Sequence, residues 1–212
     1  MKISCIVTDF DFTLSHFSDP IDCGLFDVFR RRGFSEDLIK AAFDAVARRG
    51  YNKENFINEV FSSAGSDCNS DKQSAATEIS AWLKRSLTPY PDSEQFLWKY
   101  WGHTRIVILT HGEQIYQRQK INAVAVPYDE IHVVTPPRRK ADVLQELLGR
   151  FGAPLLFVDD RGDELDMAVD RLGAESVKTV WMGREDAPVE SKMPPKHTHI
   201  RATSFETVVD LI

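Results

Sequence analysis

The sequence predicts an α/β protein: a parallel sheet flanked by helices and interrupted after its first strand by an all-helical block. Three observations carry this prediction. Short apolar runs of strand length recur along the chain, apolar stripes of helical spacing lie between the later runs, and residues 16–90 contain helical patterns without a convincing strand.

The runs are Ile3 to Val7, Ile106 to Leu109, Ile131 to Val134, Leu155 to Val158 and Val177 to Trp181. Most are continuous rather than alternating, as expected of strands covered on both faces. Val143, Leu144, Leu147, Leu148 and Phe151 form one helical stripe; Leu165, Ala168, Val169 and Leu172 form another. Strand and helix therefore alternate from residue 105 onward, the pattern of right-handed βαβ units. A closing helix is expected to carry Phe205, Val208, Val209 and Ile212.

The inserted block reads as about four amphipathic helices. Ser35 is placed to cap one, with Glu36 and Asp37 in its first turn and Arg48, Arg49 and Gly50 at its far end. Asn52 is placed to cap a helix carrying Phe56, Ile57, Val60 and Phe61, and Ser70 with Gln73 reads as a capping box leading to Ile79, Trp82 and Leu83. Pro89 and Pro91 mark the return to the sheet. The division expected is a core of residues 1–15 and 91–212 around an insertion of 16–90.

The 212 residues are 42% hydrophobic and 27% charged, with a net charge of -6, the profile of a globular protein. That charge gives no general attraction for nucleic acid or for an anionic membrane, despite local basic clusters at Arg30 to Arg32, Arg48 with Arg49, and Arg138 to Lys140. Cys5, Cys23 and Cys68 form no spaced pair and fit reduced thiols. No apolar run has the ~18 residues a membrane span needs, and Asp9 and Asp11 interrupt the first run too early for a signal peptide. A cytoplasmic location is the expectation, and no pattern specifies an oligomeric state.

The chemistry gathers at strand ends. The first run closes on Asp9-Phe10-Asp11-Phe12-Thr13. Residues two apart in extended chain share a face, and the carboxyl edge of an open α/β sheet is where ligands bind. Two carboxylates this close call for a cation or a shared proton, although solvated acids at a strand end are the plain alternative. Leu155 to Val158 runs into Asp159, Asp160, Asp163, Glu164 and Asp166. Acids in a helix's first turn complement its dipole, which accounts for Asp163 and Glu164 but not for acids abutting a buried strand. Hard oxygen donors without His or Cys nearby favour Mg²⁺ over zinc. Thr110-His111-Gly112 ends the run from Ile106 and precedes a helix, so its hydroxyl and backbone N–H groups form an anion site, or Thr110 is simply a cap. His111 is expected to act through its backbone N–H rather than its ring. Lys140 precedes the helix leading to the acidic strand, where a solvated lysine would also be ordinary.

Taken in order, Asp-x-Asp-x-Thr, then Thr, then Lys, then Asp-Asp resembles the haloacid dehalogenase-like hydrolase superfamily, most of whose members are phosphatases. The resemblance spans nearly the whole chain and implies a Rossmann-like core with a helical cap at 16–90. It implies Asp9 as the nucleophile that becomes an aspartyl-phosphate, and Asp11 as general acid/base. Thr110, His111, Gly112 and Lys140 would bind the substrate phosphate, Lys140 also bridging to the nucleophile. Mg²⁺ would be held by Asp9, by Asp11 through its carbonyl, and by Asp160 or Asp159, with Thr13 and Glu164 behind them. The partner implied is a small phosphorylated metabolite. Two positions depart from the pattern: Phe12 where glycine is common, and Glu164 where Asp is usual. A phosphomutase would share every motif. A haloacid dehalogenase typically lacks the second Asp, a receiver-type domain places its Lys after the acids, and a silent phosphate-binding protein would not need all the reacting groups.

Overall fold

The computed structural model describes residues 2–47, 51–65 and 69–212. The chain divides into two compact units, one of Met1–His16, Pro89–His111 and Ala125–Ile212, the other of Phe17–Thr88 and Gly112–Val124.

In chain order the strands are β1 (Cys5–Thr8), β2 (Ser15–Phe17), β3 (Leu87–Pro89), β4 (Arg105–His111), β5 (Glu130–Val134), β6 (Leu155–Asp159), β7 (Val177–Met182) and β8 (Ile200–Ala202). The helices are α1 (Ile21–Gly24), α2 (Asp27–Arg30), α3 (Glu36–Ala47), α4 (Lys53–Ser63), α5 (Asn69–Ser86), α6 (Pro91–Tyr100), α7 (Gln114–Val124), α8 (Lys140–Phe151), α9 (Gly162–Leu172) and α10 (Phe205–Val208). β2 and β3 form a two-stranded ribbon.

The first unit is built on a six-stranded sheet of order β5-β4-β1-β6-β7-β8, parallel throughout. This is the α/β, Rossmann-like sheet expected, with β8 as an additional edge strand. Ile200–Ala202 alternates polar and apolar residues over three positions, too short a stretch to read as a strand. β1 lies centrally because it is apolar on both faces, with Cys5, Ile6 and Val7 all fully buried. The predicted stripes of α8 and α9 account for their packing. Val143, Leu144, Leu147, Leu165 and Ala168 join Cys5, Val7, Leu109 and Phe157 in one core, with Leu148, Phe151 and Leu172 packed at its margin. α6 and α10 pack together through Phe96 and Phe205, whose rings lie 4.6 Å apart. The closing helix is shorter than its apolar spacing suggested: one turn, Phe205–Val208, gives way to a 3₁₀ turn over Val209–Leu211.

The second unit is helical. Ser35 Oγ accepts from the Leu38 N–H at the start of α3, and Asn52 Oδ1 accepts from the Asn55 N–H at the start of α4, as their positions predicted. α5 already includes Asn69, one residue before the Ser70 cap expected. The basic end proposed for α3 at Arg48, Arg49 and Gly50 lies outside the described residues, as does Cys68. Phe29 sits edge-on to Phe56 at 5.0 Å and Phe34 to Phe61 at 5.0 Å, so aromatic faces form much of this core. Gly24 is forced by close approach: a Cβ there would fall 1.8 Å from the Trp82 indole nitrogen.

Leu144 is fully buried in the core, whereas Leu148 packs only at its edge. Leu144→Ala is expected to lower the unfolding free energy by about 2–5 kcal/mol, and Leu148→Ala by clearly less, as read by urea titration.

Candidate active site

Register brings the acids together. β1 pairs with β6 so that Thr8 faces Val158, and the Asp9 N–H donates to the Val158 carbonyl at 2.9 Å. Asp9 and Asp159 therefore leave neighbouring strands at the same level. On the other side of β1, Thr8 faces Ile108, which puts Thr110 just beyond the same edge. The order of the sheet reverses at β1, the position where open α/β sheets form a crevice.

The Lys140 ammonium closes the arrangement. Placed at the first residue of α8 and only 2% exposed, it donates to Asp9 Oδ1 at 2.6 Å and to Asp159 Oδ2 at 2.7 Å. Asp159 spends its second oxygen on the Arg161 N–H at 2.9 Å. Asp160 takes a hydrogen bond from the Ser191 hydroxyl, and its carbonyl accepts from the Trp181 indole at 2.8 Å. One carboxylate oxygen from each of Asp9, Asp159 and Asp160 lies within 4.8 Å of the others, and all three residues are buried.

Three carboxylates against one ammonium leave excess negative charge in a dry place. Burial would by itself discharge Lys140, but Asp159 and Asp9 hold its ammonium well above the ordinary lysine range. Burial pushes Asp9 and Asp159 above the usual carboxylate range, opposed by Lys140. Asp160 is driven to about 7 by burial and then by the Asp9 charge. This donor set, all hard oxygens and short of positive charge, fits a divalent cation of the Mg²⁺ type.

Asp9, Lys140 and Asp160 line a cleft of about 520 Å³ with Asp11, Phe12, Thr110, His111, Arg139, Asp163 and Glu164. The loop bearing Asp11 is a tight return: Leu14 and Ser15 N–H groups donate to the Phe10 carbonyl, and the Phe12 N–H to the Ser15 carbonyl. Phe12 takes φ of 54°, a left-handed conformation in which glycine is at ease and a side chain is not. Thr13 is fully buried, its hydroxyl without a hydrogen-bond partner among the described residues.

The His111 ring does more than expected, since its Nε2 meets Glu164 Oε1 at 2.9 Å. Burial opposes ionisation of Glu164, but His111 and Lys140 hold its carboxyl below the ordinary value. Gly112 opens the second segment of the helical unit at φ of 144°, where a Cβ would fall 2.6 Å from the Gln117 side chain. Asp163 is an exposed partner of Arg161. Ser191 and Arg184 carry no signal in the sequence, and Trp181 stands there only as the end of an apolar run. They lie in or after β7, far along the chain from Asp9, and nothing in their spacing marks them.

No family model matches the chain, and no curated protein matches it. Solved structures do resemble it. A defluorinating L-2-haloacid dehalogenase superposes with a TM-score of 0.65 at 17% identity, covering 99% of this chain and 94% of its own. A Thermotoga maritima protein assigned as a β-phosphoglucomutase gives 0.61 at 12% identity, with 98% and 97% covered. YfnB of Bacillus subtilis, assigned as a HAD hydrolase and solved with magnesium, gives 0.57 at 13% identity, with 100% and 99% covered. At such identities the likeness establishes the fold, and that fold is the haloacid dehalogenase-like one.

The electrostatics predict a pH dependence. Asp160 ionises near 7 in the folded chain against 3.8 ordinarily. Its contribution to stability is fully present below pH 3.8 and is lost as pH rises through about 7. Asp160→Asn carries no charge there. In chelator, the wild-type protein should lose stability relative to this variant between about pH 4 and 8; parallel urea curves across that range check it.

Proposed function

We propose that this chain, with its haloacid dehalogenase-like fold, is a hydrolase of that superfamily that cleaves small phosphate monoesters through a phosphorylated Asp9. The observation that carries the reading is the buried Asp9–Lys140–Asp159 bridge beside Asp160, with Asp11 and Thr110 lining the same cleft. In this reading residues 16–90 are the cap that shapes access for the substrate.

Phosphoryl transfer is mainly positioning and charge neutralisation. Lys140 opposes the effect of burial on the Asp9 carboxyl and fixes it for in-line attack. Attack forms the bond from Asp9 to phosphorus while the bond from phosphorus to the leaving oxygen breaks, and Asp11 gives that oxygen its proton. A water then attacks the phosphorus, Asp11 takes back a proton, and the bond to Asp9 breaks to release inorganic phosphate. Thr110, 1% exposed at the end of β4, offers its hydroxyl to the phosphoryl oxygens. Asp9, the Asp11 carbonyl and Asp160 would hold Mg²⁺, with Asp160 preferred to Asp159 because both Asp159 oxygens are already engaged. When bound, that ion supplies positive charge to the phosphoryl oxygens.

Dehalogenation is the second reading, favoured by the dehalogenase among the similar structures. Halide leaves without a proton, so Asp11 would have no task there. Phosphomutation uses the same groups and would differ in its products.

A panel of phosphate monoesters assayed with and without Mg²⁺, alongside 2-haloacids, tests the proposal. Phosphate release that stops in chelator is expected, and Asp9→Asn should abolish it while circular dichroism stays native. Halide release from 2-haloacids with no phosphate release would overturn the reading. Asp11 has its own test, because general acid catalysis is worth about 10²–10⁴ in rate. Asp11→Asn should slow the first turnover of an alkyl phosphate far more than that of nitrophenyl phosphate, whose leaving group needs no proton. Rapid quench reads this step directly, and equal losses for both esters would remove Asp11 from the role.

A further inference from the structure

After β7 the chain doubles back over the acidic edge of the sheet before reaching β8. This strap is tied along α9. The Lys196 and His197 N–H groups donate to the two Asp166 carboxylate oxygens at 2.6 and 2.8 Å. His199 bridges Asp166 at 3.0 Å and Thr179 at 2.7 Å. Pro195 lies so close to Gly162 that a Cβ on that glycine would come within 2.9 Å of it.

Ser191 is the point where the strap meets the reactive cluster. It is 4% exposed, as is Asp160, and its hydroxyl donates to Asp160 Oδ2. The Trp181 indole N–H is shared between the carbonyls of these same two residues, at 2.8 Å to Asp160 and 3.2 Å to Ser191. One ring thus holds both ends of the contact in register. Trp181 is itself fixed opposite Asp159 by the pairing of β7 with β6.

Resting on the hydrolase reading above, we propose that Ser191 is a positioning residue for the cation site: it fixes the Asp160 carboxylate so that its remaining oxygen faces the ion. A carboxylate turns about a broad, roughly two-fold torsion, and a donor locked onto one oxygen removes that freedom. A hydroxyl suits the place because it can donate without adding charge. Lys140 already offsets part of the charge of Asp9 and Asp159, and a second cation would compete with the metal. Partners that orient metal ligands are typically worth 10- to 100-fold in metal affinity or activity.

The strap has its own ties at Asp166 and Gly162, so removal of one hydroxyl should leave it seated. That separates a positioning role from a structural one. Isothermal titration of Mg²⁺ into the apoprotein, and of Mn²⁺ followed by electron paramagnetic resonance, would compare wild type, Ser191→Ala and Ser191→Thr. Ser191→Ala is expected to weaken binding by about 10- to 100-fold while its melting temperature in chelator stays within a few degrees of wild type. Ser191→Thr, which keeps the hydroxyl, should bind close to wild type. Unchanged affinity in Ser191→Ala overturns the proposal, and so does a Thr variant as weak as the Ala variant. A wild-type protein that takes up neither ion overturns the metal-dependent hydrolase reading along with it, so the two failures are told apart.

Discussion

The ammonium of Lys140, buried between Asp9 and Asp159, is the interaction on which the edge of this sheet depends. Parallel strands in register deliver side chains to one level, and here they deliver carboxylates. Without a cation between them, Asp9 and Asp159 would repel across adjacent strands in a place water scarcely reaches. Removing one member of such a buried group strands the others and typically costs about 3–5 kcal/mol. The lysine comes from the first turn of α8, whose Val143, Leu144 and Leu147 are anchored in the core. Its charge is therefore held by packing as well as by its partners. Even so, the lysine cancels only part of the negative charge, and the three acidic side chains remain short of positive charge.

Much of this was legible in the sequence because the forces that make it are local. Continuous apolar runs gave β1, β4, β5, β6 and β7, and helical stripes gave α8 and α9, since burial on a sheet demands those periods. Asp9, Asp159 and Asp160 could be recognised because they abut such runs. What could not be read depends on contacts between distant segments. β8 is too short to carry a pattern and exists because it completes the β7 edge. Ser191 and Trp181 are single residues whose role follows from where the chain returns, 31 residues after Asp160 in the case of Ser191. The sequence points to the backbone N–H of His111 rather than its ring, because the ring's partner, Glu164, lies 53 residues away. Phe12 was noted only as a departure from glycine; its φ of 54° shows why a glycine would suit that position.

The fold by itself decides little about chemistry. Its solved neighbours include a protein assigned as a mutase and another named a dehalogenase, and a scaffold that hosts several reactions assigns none of them. Discrimination comes down to single groups in the cleft. A second carboxyl two residues beyond Asp9 is useful only where a leaving group needs a proton. The hydroxyl of Thr110 and the ammonium of Lys140 suit an anion with several oxygens better than a halide. Phosphate ester chemistry would give each of these groups a task, whereas halide release would leave Asp11 idle.

The loop between Asp9 and the insertion must hold Asp11 to a fraction of an ångström if a proton is to pass. Its own turn bonds are not its only support. Arg184, 8% exposed, donates to the Thr13 carbonyl at 3.2 Å and to the Thr203 carbonyl at 3.0 Å, and pairs with Asp92 at 2.9 Å. Its guanidinium lies 4.0 Å from the Tyr90 ring centre, and Asp92 in turn accepts the Phe205 N–H at 2.7 Å. A buried arginine can satisfy so many acceptors because its donors form a rigid planar fork. In this place it binds the loop carrying Asp11 to α6, to the segment after β8 and, through Asp92, to the start of α10. Asp9 and Asp11 thus stand on two buried cations, Lys140 for the charge of Asp9 and Arg184 for the backbone that carries Asp11.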